Sequence, residues 1–147
     1  MAAKGLTVNT SSFIEGLDLN MAKLQRQTLP RAMARVGITM QDVAQGIVPV
    51  DTGHLKASIT HRETVKGLTY RTEVGTNVEY APYVEFGTGD AGQWSMGNFY
   101  MGHDAGVTYT AGWPGVRARP FLRPAVYDLE AAYVEMVREA FKQAVKA

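Results

Sequence analysis

The residues best suited to chemistry in this sequence are Asp51, Thr52 and Gly53. The same triplet carries the catalytic carboxylate of retroviral-type aspartic proteases, which work as homodimers with two such carboxylates. Here, however, it follows Pro49, precedes His54 and is flanked by segments with helical periodicity. Aspartate at the first position of a turn can accept backbone N–H groups, and glycine tolerates positive φ. We therefore interpret Asp51 as a structural acid at a helix-to-strand corner, with a homodimeric aspartic protease as an alternative.

The remaining residue types do not form a recognisable metal, cofactor or catalytic pattern. His54, His61 and His103 lack HExxH spacing, and the chain contains no cysteine that could join them as a ligand. Ser95 lacks the glycine two positions before it that the G-x-S-x-G motif requires. The run GTGDAG lacks the lysine and Ser/Thr of a phosphate-binding loop. We therefore predict no metal, no cofactor and no enzymatic activity.

Two features could bind a partner. Arg117, Arg119 and Arg123 cluster before the last predicted helix, where they could meet phosphate or acidic groups or form a solvated rim. A nucleic-acid-contacting module is therefore a second alternative, although a formal net charge of +1 gives no bulk attraction to nucleic acid. Residues 88–116 are rich in glycine and in aromatic residues, which either contact a partner or pack on the domain's own sheet. The candidate partner-binding residues are Trp94, Phe99, Tyr100, Tyr109, Trp113, Arg117 and Arg119.

The elements that must position these residues follow from the spacing of apolar side chains. From Leu17 to Ile47 they recur every three or four positions, which predicts an amphipathic helix. Pro30 should kink this helix or start a second one, with Thr28 as a candidate N-cap. Pro49 disfavours continuation beyond the helix end.

Two stretches of alternating apolar and polar residues predict a small antiparallel sheet. They are LKASITHRETV, which starts at Leu55, and LTYRTEVG, which starts at Leu68. A tight turn at Lys66-Gly67 would join them as a hairpin. Pro82 argues against a central strand in the segment that follows, so we expect a short helical turn or edge segment that carries Phe86 to the core.

A last apolar stripe, from about Pro124 to Lys146, predicts a second amphipathic helix. Acidic residues near its start and basic residues near its end suit the helix dipole. The predicted fold class is α+β: a long N-terminal helix, a small antiparallel sheet, a long aromatic and glycine-rich loop, and this C-terminal helix packed on the sheet.

The length of 147 residues fits one domain over residues 1–147. Within it we expect residues 1–16 to form a flexible arm and residues 88–116 to form the long loop. No stretch approaches the ~20 apolar residues of a membrane span, and the N-terminus lacks the apolar core of a signal peptide, so we expect a soluble protein.

Three blocks of the sequence together resemble one family. In order they are VPVDTGHLKASI, VGTNVEYAPYVEFGT and ARPFLRPAV. This set is similar to the phage tail-component family known as gene-product-ten-like, the head-tail joining or tail-completion proteins of long-tailed phages. The helices before the first block and after the third also resemble that family, so the likeness covers nearly the whole chain except residues 90–116. The residues that carry it are Pro49, Asp51, Thr52, Gly53, Leu55, Tyr80, Ala81, Glu85, Phe86, Gly87, Thr88, Pro120, Phe121, Leu122, Pro124 and Ala125.

The resemblance implies a non-enzymatic assembly protein of the virion neck, assembled in the host cytoplasm. It would form a ring, a hexamer, between the connector or stopper and the tail tube, and DNA would pass through the lumen without sequence-specific binding. No membrane is involved. It also implies scaffold roles: Gly53 and Gly87 would permit sharp turns, and Tyr80 and Phe86 would anchor the middle segment against the sheet.

Overall fold

The computed structural model describes residues 6–9, 24–67, 69–93, 106–107, 109 and 112–146. The described elements in chain order are strand β1 (Leu6–Asn9), a π-helical turn (Leu24–Thr28) that leads into helix α1 (Leu29–Ile47), helix α2 (His54–Ser58), strands β2 (Thr60–Lys66) and β3 (Thr69–Gly75), helices α3 (Ala81–Phe86) and α4 (Gly89–Gln93), and a second π-helical turn (Pro124–Asp128) before helix α5 (Glu130–Lys146). Long helices around a small antiparallel sheet confirm the predicted α+β class.

The described sheet has three strands in the order β1-β3-β2, and both pairings are antiparallel. The predicted hairpin is confirmed, because β2 pairs with β3 along its whole length. Gly67 in the connecting turn has a φ of 59°, a conformation that favours glycine. Strand β1 lies within residues 1–16, for which we expected a flexible arm, and Leu6–Asn9 pairs with the central strand. The rest of that range lies outside the described residues.

Helix α1 covers one face of the sheet, and its buried residues recur every three or four positions as predicted. A Cβ atom added at Gly37 would lie 2.7 Å from the His61 ring and 2.9 Å from the Thr72 methyl group. Glycine is therefore what allows the helix backbone to approach the sheet this closely. The buried Thr72 hydroxyl donates a hydrogen bond of 3.1 Å to the Met33 carbonyl oxygen. The buried stripe is Leu29, Ala32, Met33, Val36, Gly37, Met40 and Ala44.

The start of α1 differs from the prediction. Thr28 has helical φ and ψ of −75° and −49°, and its side chain makes no capping hydrogen bond, because the π-helical turn already precedes it. Pro30 lies in the first turn of α1, where a missing N–H is tolerated. The helix ends at Ile47, and Val48 is extended.

The segment from His54 to Ser58 is helical, so the strand predicted to begin at Leu55 is wrong there; β2 starts only at Thr60. Leu55 and Ile59 are both buried, and residues four apart share a face of a helix as well as of a strand. The discriminating residue is Ala57, which alternation would bury but which is exposed.

Helix α5 packs mainly against α1 and the first π-helical turn, which corrects the expected packing on the sheet. Tyr133 is the largest fully buried side chain of the described residues, and its hydroxyl donates a hydrogen bond of 2.6 Å to the Ala125 carbonyl oxygen. This bond ties α5 to the π-helical turn before it. Val137, one turn later, is also buried against the core.

Candidate functional site

The carboxylate of Glu85, on α3, is fully buried and joins the second sequence block to the third. Its Oε2 accepts hydrogen bonds from the backbone N–H groups of Phe121 at 2.7 Å and Leu122 at 2.9 Å. Its Oε1 accepts from the backbone N–H of Arg123 at 3.0 Å. The first N–H groups of a helix have no partner within the helix, so Glu85 caps the final helical segment from elsewhere in the chain.

Arg123 completes this buried site. Its Nε donates to Glu85 Oε1 at 2.9 Å and its Nη2 donates to the Glu85 carbonyl oxygen at 3.1 Å. The guanidinium carbon lies 4.9 Å from the centre of the Phe86 ring, within cation–π distance. Arg123 is therefore directed into its own domain, and the predicted surface cluster with Arg117 and Arg119 is wrong for this residue.

The backbone between α3 and α4 runs against the segment that returns from the long loop. Thr88 and Val116 exchange N–H···O bonds of 2.8 and 3.1 Å, and Arg119 N donates to the Val84 carbonyl oxygen at 2.8 Å. Gly87 has a φ of 74°, and a Cβ atom there would lie 2.7 Å from Ala118 N. These contacts hold the two backbone segments, residues 84–88 and 116–119, side by side.

An open groove of about 460 Å³ lies where the three sequence blocks meet. Four apolar side chains on it, Val50, Tyr80, Tyr83 and Val116, are between 45% and 62% exposed. Exposed apolar side chains gathered in one place are typical of interaction surfaces. The groove is lined by Pro49, Val50, Asp51, Thr52, Gly53, Leu55, Lys56, Tyr80, Tyr83, Val84, Thr88, Val116, Arg117 and Arg119.

The charged residues of this groove are unbalanced. Lys56, Arg117 and Arg119 are exposed and form no ion pair with any described residue. Asp51 is the one carboxylate that lines the groove within the described part of the chain. The groove therefore combines apolar surface with an excess of two positive charges.

Asp51 does not play the structural role that the sequence suggested. It is exposed, and no described backbone N–H donates to its carboxylate. Instead, the Thr52 hydroxyl oxygen accepts a hydrogen bond of 3.4 Å from His54 N. Gly53, with a φ of 83°, makes the sharp bend, and its carbonyl oxygen accepts from Ala57 N at 2.9 Å.

The other predicted residues divide between core and surface. Phe86 is buried as expected, whereas Tyr80 is 45% exposed and lines the groove instead of anchoring the segment against the sheet. Tyr109 is directed inward, and its hydroxyl donates to the Phe86 carbonyl oxygen at 3.4 Å. Burial raises the pKa of Tyr109, and the positive charge of Arg123 partly offsets that rise. Trp113 is half exposed.

Ala81 and Phe121 are buried, and Pro120 and Pro124 are partly exposed on either side of the start of the final helical segment. Trp94, Phe99 and Tyr100 lie outside the described residues.

Sequence reasoning placed Glu85 in a block but missed its function. The available signal was its position four residues after Ala81 and directly before Phe86, which puts a carboxylate on the buried face of a short helix. A buried carboxylate must find donors, but the sequence does not say which ones.

Two negative findings apply to the described residues. No group of three His, Asp or Glu side chains there is arranged to hold a metal ion. His61, for example, contacts Gln41 Oε1 through Nδ1 at 2.5 Å. Separately, none of the helices in this part of the chain has the length and apolar character needed to span a bilayer.

A small α+β domain that presents an open, apolar and cationic groove has the features of a protein that contacts other proteins. Comparison with known families matches residues 12–87, just over half of the chain, to the bacteriophage HK97-gp10-like tail-component family. The chain belongs to this family of phage tail components, and is thus a structural component of a virion. The matched range ends at Gly87, so the third block lies beyond it. Comparisons with curated proteins and with solved structures gave no significant match.

Proposed function

We propose that this protein is a non-enzymatic tail-completion or head-tail joining protein, which forms a ring at the neck of a long-tailed phage. In this role it contacts the connector or stopper on one side and the tail tube on the other. DNA passes through the lumen of the ring without sequence-specific recognition.

The observation that carries the proposal is the groove where the three blocks meet. Its apolar side chains are exposed and its cations are unpaired within the described residues, so burial against a complementary protein surface would be favourable. Family membership supplies the virion as the setting. Both points favour assembly over turnover of a substrate.

The site geometry favours neither alternative. An aspartic protease needs two carboxylates that share a proton. Among the described residues that line the groove, Asp51 is the one carboxylate, and the other side chains there include cations and aromatic residues. The nucleic-acid alternative relied on Arg117, Arg119 and Arg123, but Arg123 forms an ion pair with the buried Glu85 and does not join the other two on the groove. A homodimer that brought two copies of Asp51 together would revive the protease alternative, and the experiment below separates it.

The test combines native mass measurement with binding to purified tails that lack this protein. We expect a closed ring, free or on the tail end, and loss of assembly in Val50→Asp, which places a charge on the apolar groove. Val65→Asp is the matched control, because Val65 has similar exposure on strand β2, away from the groove. Equal behaviour of the two variants would refute the groove as the contact surface. A tight dimer whose peptide cleavage is abolished by Asp51→Asn would refute the assembly proposal itself.

A further inference from the structure

The junction between the second π-helical turn and helix α5 is a second exposed surface, and its charge is opposite to that of the groove. Tyr127 is 51% exposed and Val134 is 39% exposed. Asp128 and Glu130 are exposed between them and form no ion pair with any described residue. This acidic patch, defined by these four residues, combines apolar contact area with two uncompensated negative charges.

The second half of α5 shows that the acidic patch is a local feature. There, Glu135 pairs with Arg138 and lies 3.7 Å from Lys142, which also pairs with Glu139. The described acids of this part of the helix are thus paired with bases, whereas Asp128 and Glu130 form no ion pair with any described residue. The buried side of α5 is occupied by Tyr133 and the core, so the acidic patch points away from the domain.

The groove and the acidic patch share no residue, and each supplies what the other lacks. The groove has an excess of two positive charges around Val50, Tyr80, Tyr83 and Val116, and the acidic patch has two negative charges beside Tyr127 and Val134. Opposite charges set around apolar contacts favour association and fix its register. The occupant that this complementarity identifies is a second copy of the same chain.

We infer that the acidic patch of one copy docks into the groove of the next. Because the two surfaces differ, the contact is head-to-tail, and repetition of a head-to-tail contact yields a ring when the rotation closes. This inference rests on the proposed ring-forming function and identifies the two surfaces that join its subunits.

The test is reciprocal charge reversal followed by mixing. The groove variant carries Arg117→Glu and Arg119→Glu, and the helix variant carries Asp128→Lys and Glu130→Lys. We expect each variant alone to associate roughly 100-fold more weakly than wild type, because like charges then face each other. An equimolar mixture should recover assembly, since every contact again joins opposite charges, and the two chains should alternate around the ring. The control, Arg31→Glu with Lys66→Glu, reverses two exposed charges outside both surfaces and should assemble like wild type.

Circular dichroism of each variant shows whether the chain is folded, and recovery on mixing cannot come from an unfolded chain. Wild-type rings with no response to either reversal, or no recovery in the mixture, would overturn the inference and leave the proposed function in place. A wild-type chain that stays monomeric at high concentration and on tail ends would overturn both. Recovery only when a second virion protein is added would assign the groove to that protein and overturn the inference.

Discussion

Replacement of Glu85 tests the central claim about how this domain holds its blocks together. The buried carboxylate accepts four N–H groups, from the backbone of Phe121, Leu122 and Arg123 and from Arg123 Nε. In Glu85→Gln one oxygen becomes an NH₂ group, which can donate but not accept. Whichever way the amide is turned, two of the four N–H groups then face another donor, and the negative charge beside Arg123 is gone.

The expected loss is large. Hydrogen bonds to a charged group contribute about 1.5–3 kcal/mol each, and removal of one partner of a buried ion pair costs about 3–5 kcal/mol. Two lost bonds give a consistent value of about 4 kcal/mol, a substantial part of the roughly 5–15 kcal/mol by which a domain is stable. For a chain of this size the midpoint of thermal unfolding should fall by roughly 8–16 °C.

Urea unfolding followed by far-UV circular dichroism measures this loss directly. Glu79→Gln is the matched control, because it makes the same chemical change at an exposed position just before α3 and should leave stability unchanged. A loss of less than about 1 kcal/mol for Glu85→Gln, the value of an ordinary neutral hydrogen bond, would refute the reasoning. A double-mutant cycle with Arg123→Gln then separates the ion pair from the helix cap.

Three further predictions use the same unfolding assay. Gly37→Ala should lower the free energy of unfolding by about 1–3 kcal/mol, because the new methyl group meets His61 and Thr72. Gly46→Ala, with open space around it, should instead raise it by up to about 1 kcal/mol through helix propensity. Equal effects of the two changes would contradict the close approach of α1 to the sheet at Gly37. Burial raises the pKa of Tyr133 above its ordinary value of 10.0. The unfolded chain therefore loses that proton first, and the free energy of unfolding should fall as pH rises from about 10 towards the pKa of the folded state. If the wild-type protein and Tyr133→Phe showed the same dependence of unfolding free energy on pH, this contribution would be excluded. Asp51→Asn should leave the unfolding midpoint unchanged, because no described N–H depends on its carboxylate, and a clear drop would restore its structural role.

Elements with a long, one-sided apolar stripe were predictable, and those decided by a distant contact were not. The stripe of α1 and the alternation of β3 each have one arrangement that buries their apolar residues. The short α2 segment has two such arrangements, because Leu55 and the following Ile59 share a face both in a helix and in a strand. The cap that Glu85 provides lies 36 to 38 residues from its donors, beyond any local rule.

The groove was predictable only in part. Arg117 and Arg119 were identified from charge, but their separation from Arg123 depends on Glu85 and could not be read from spacing. Tyr83 was missed because a tyrosine in an apolar helical turn looks like a core residue until the direction of the turn is known. In the structure Tyr83 is 47% exposed on the groove, while Ala81, Glu85 and Phe86 of the same helix are buried.

The paired backbone at Thr88 and Val116 has a consequence for how the protein can vary. Asp90 N donates to the Trp113 carbonyl oxygen and Ala91 N to that of Pro114, so the pairing extends beyond the first contact. Once the ends of a chain segment are fixed, each doubling of its length adds only about 0.6 kcal/mol of closure entropy. Loop-closure entropy therefore adds little to the cost of changing the chain length between Gln93 and Gly112, whereas the buried Val107 and the hydrogen-bonded Tyr109 would have to be kept. Related tail components would then keep the same paired backbone and differ in the length of chain that it carries.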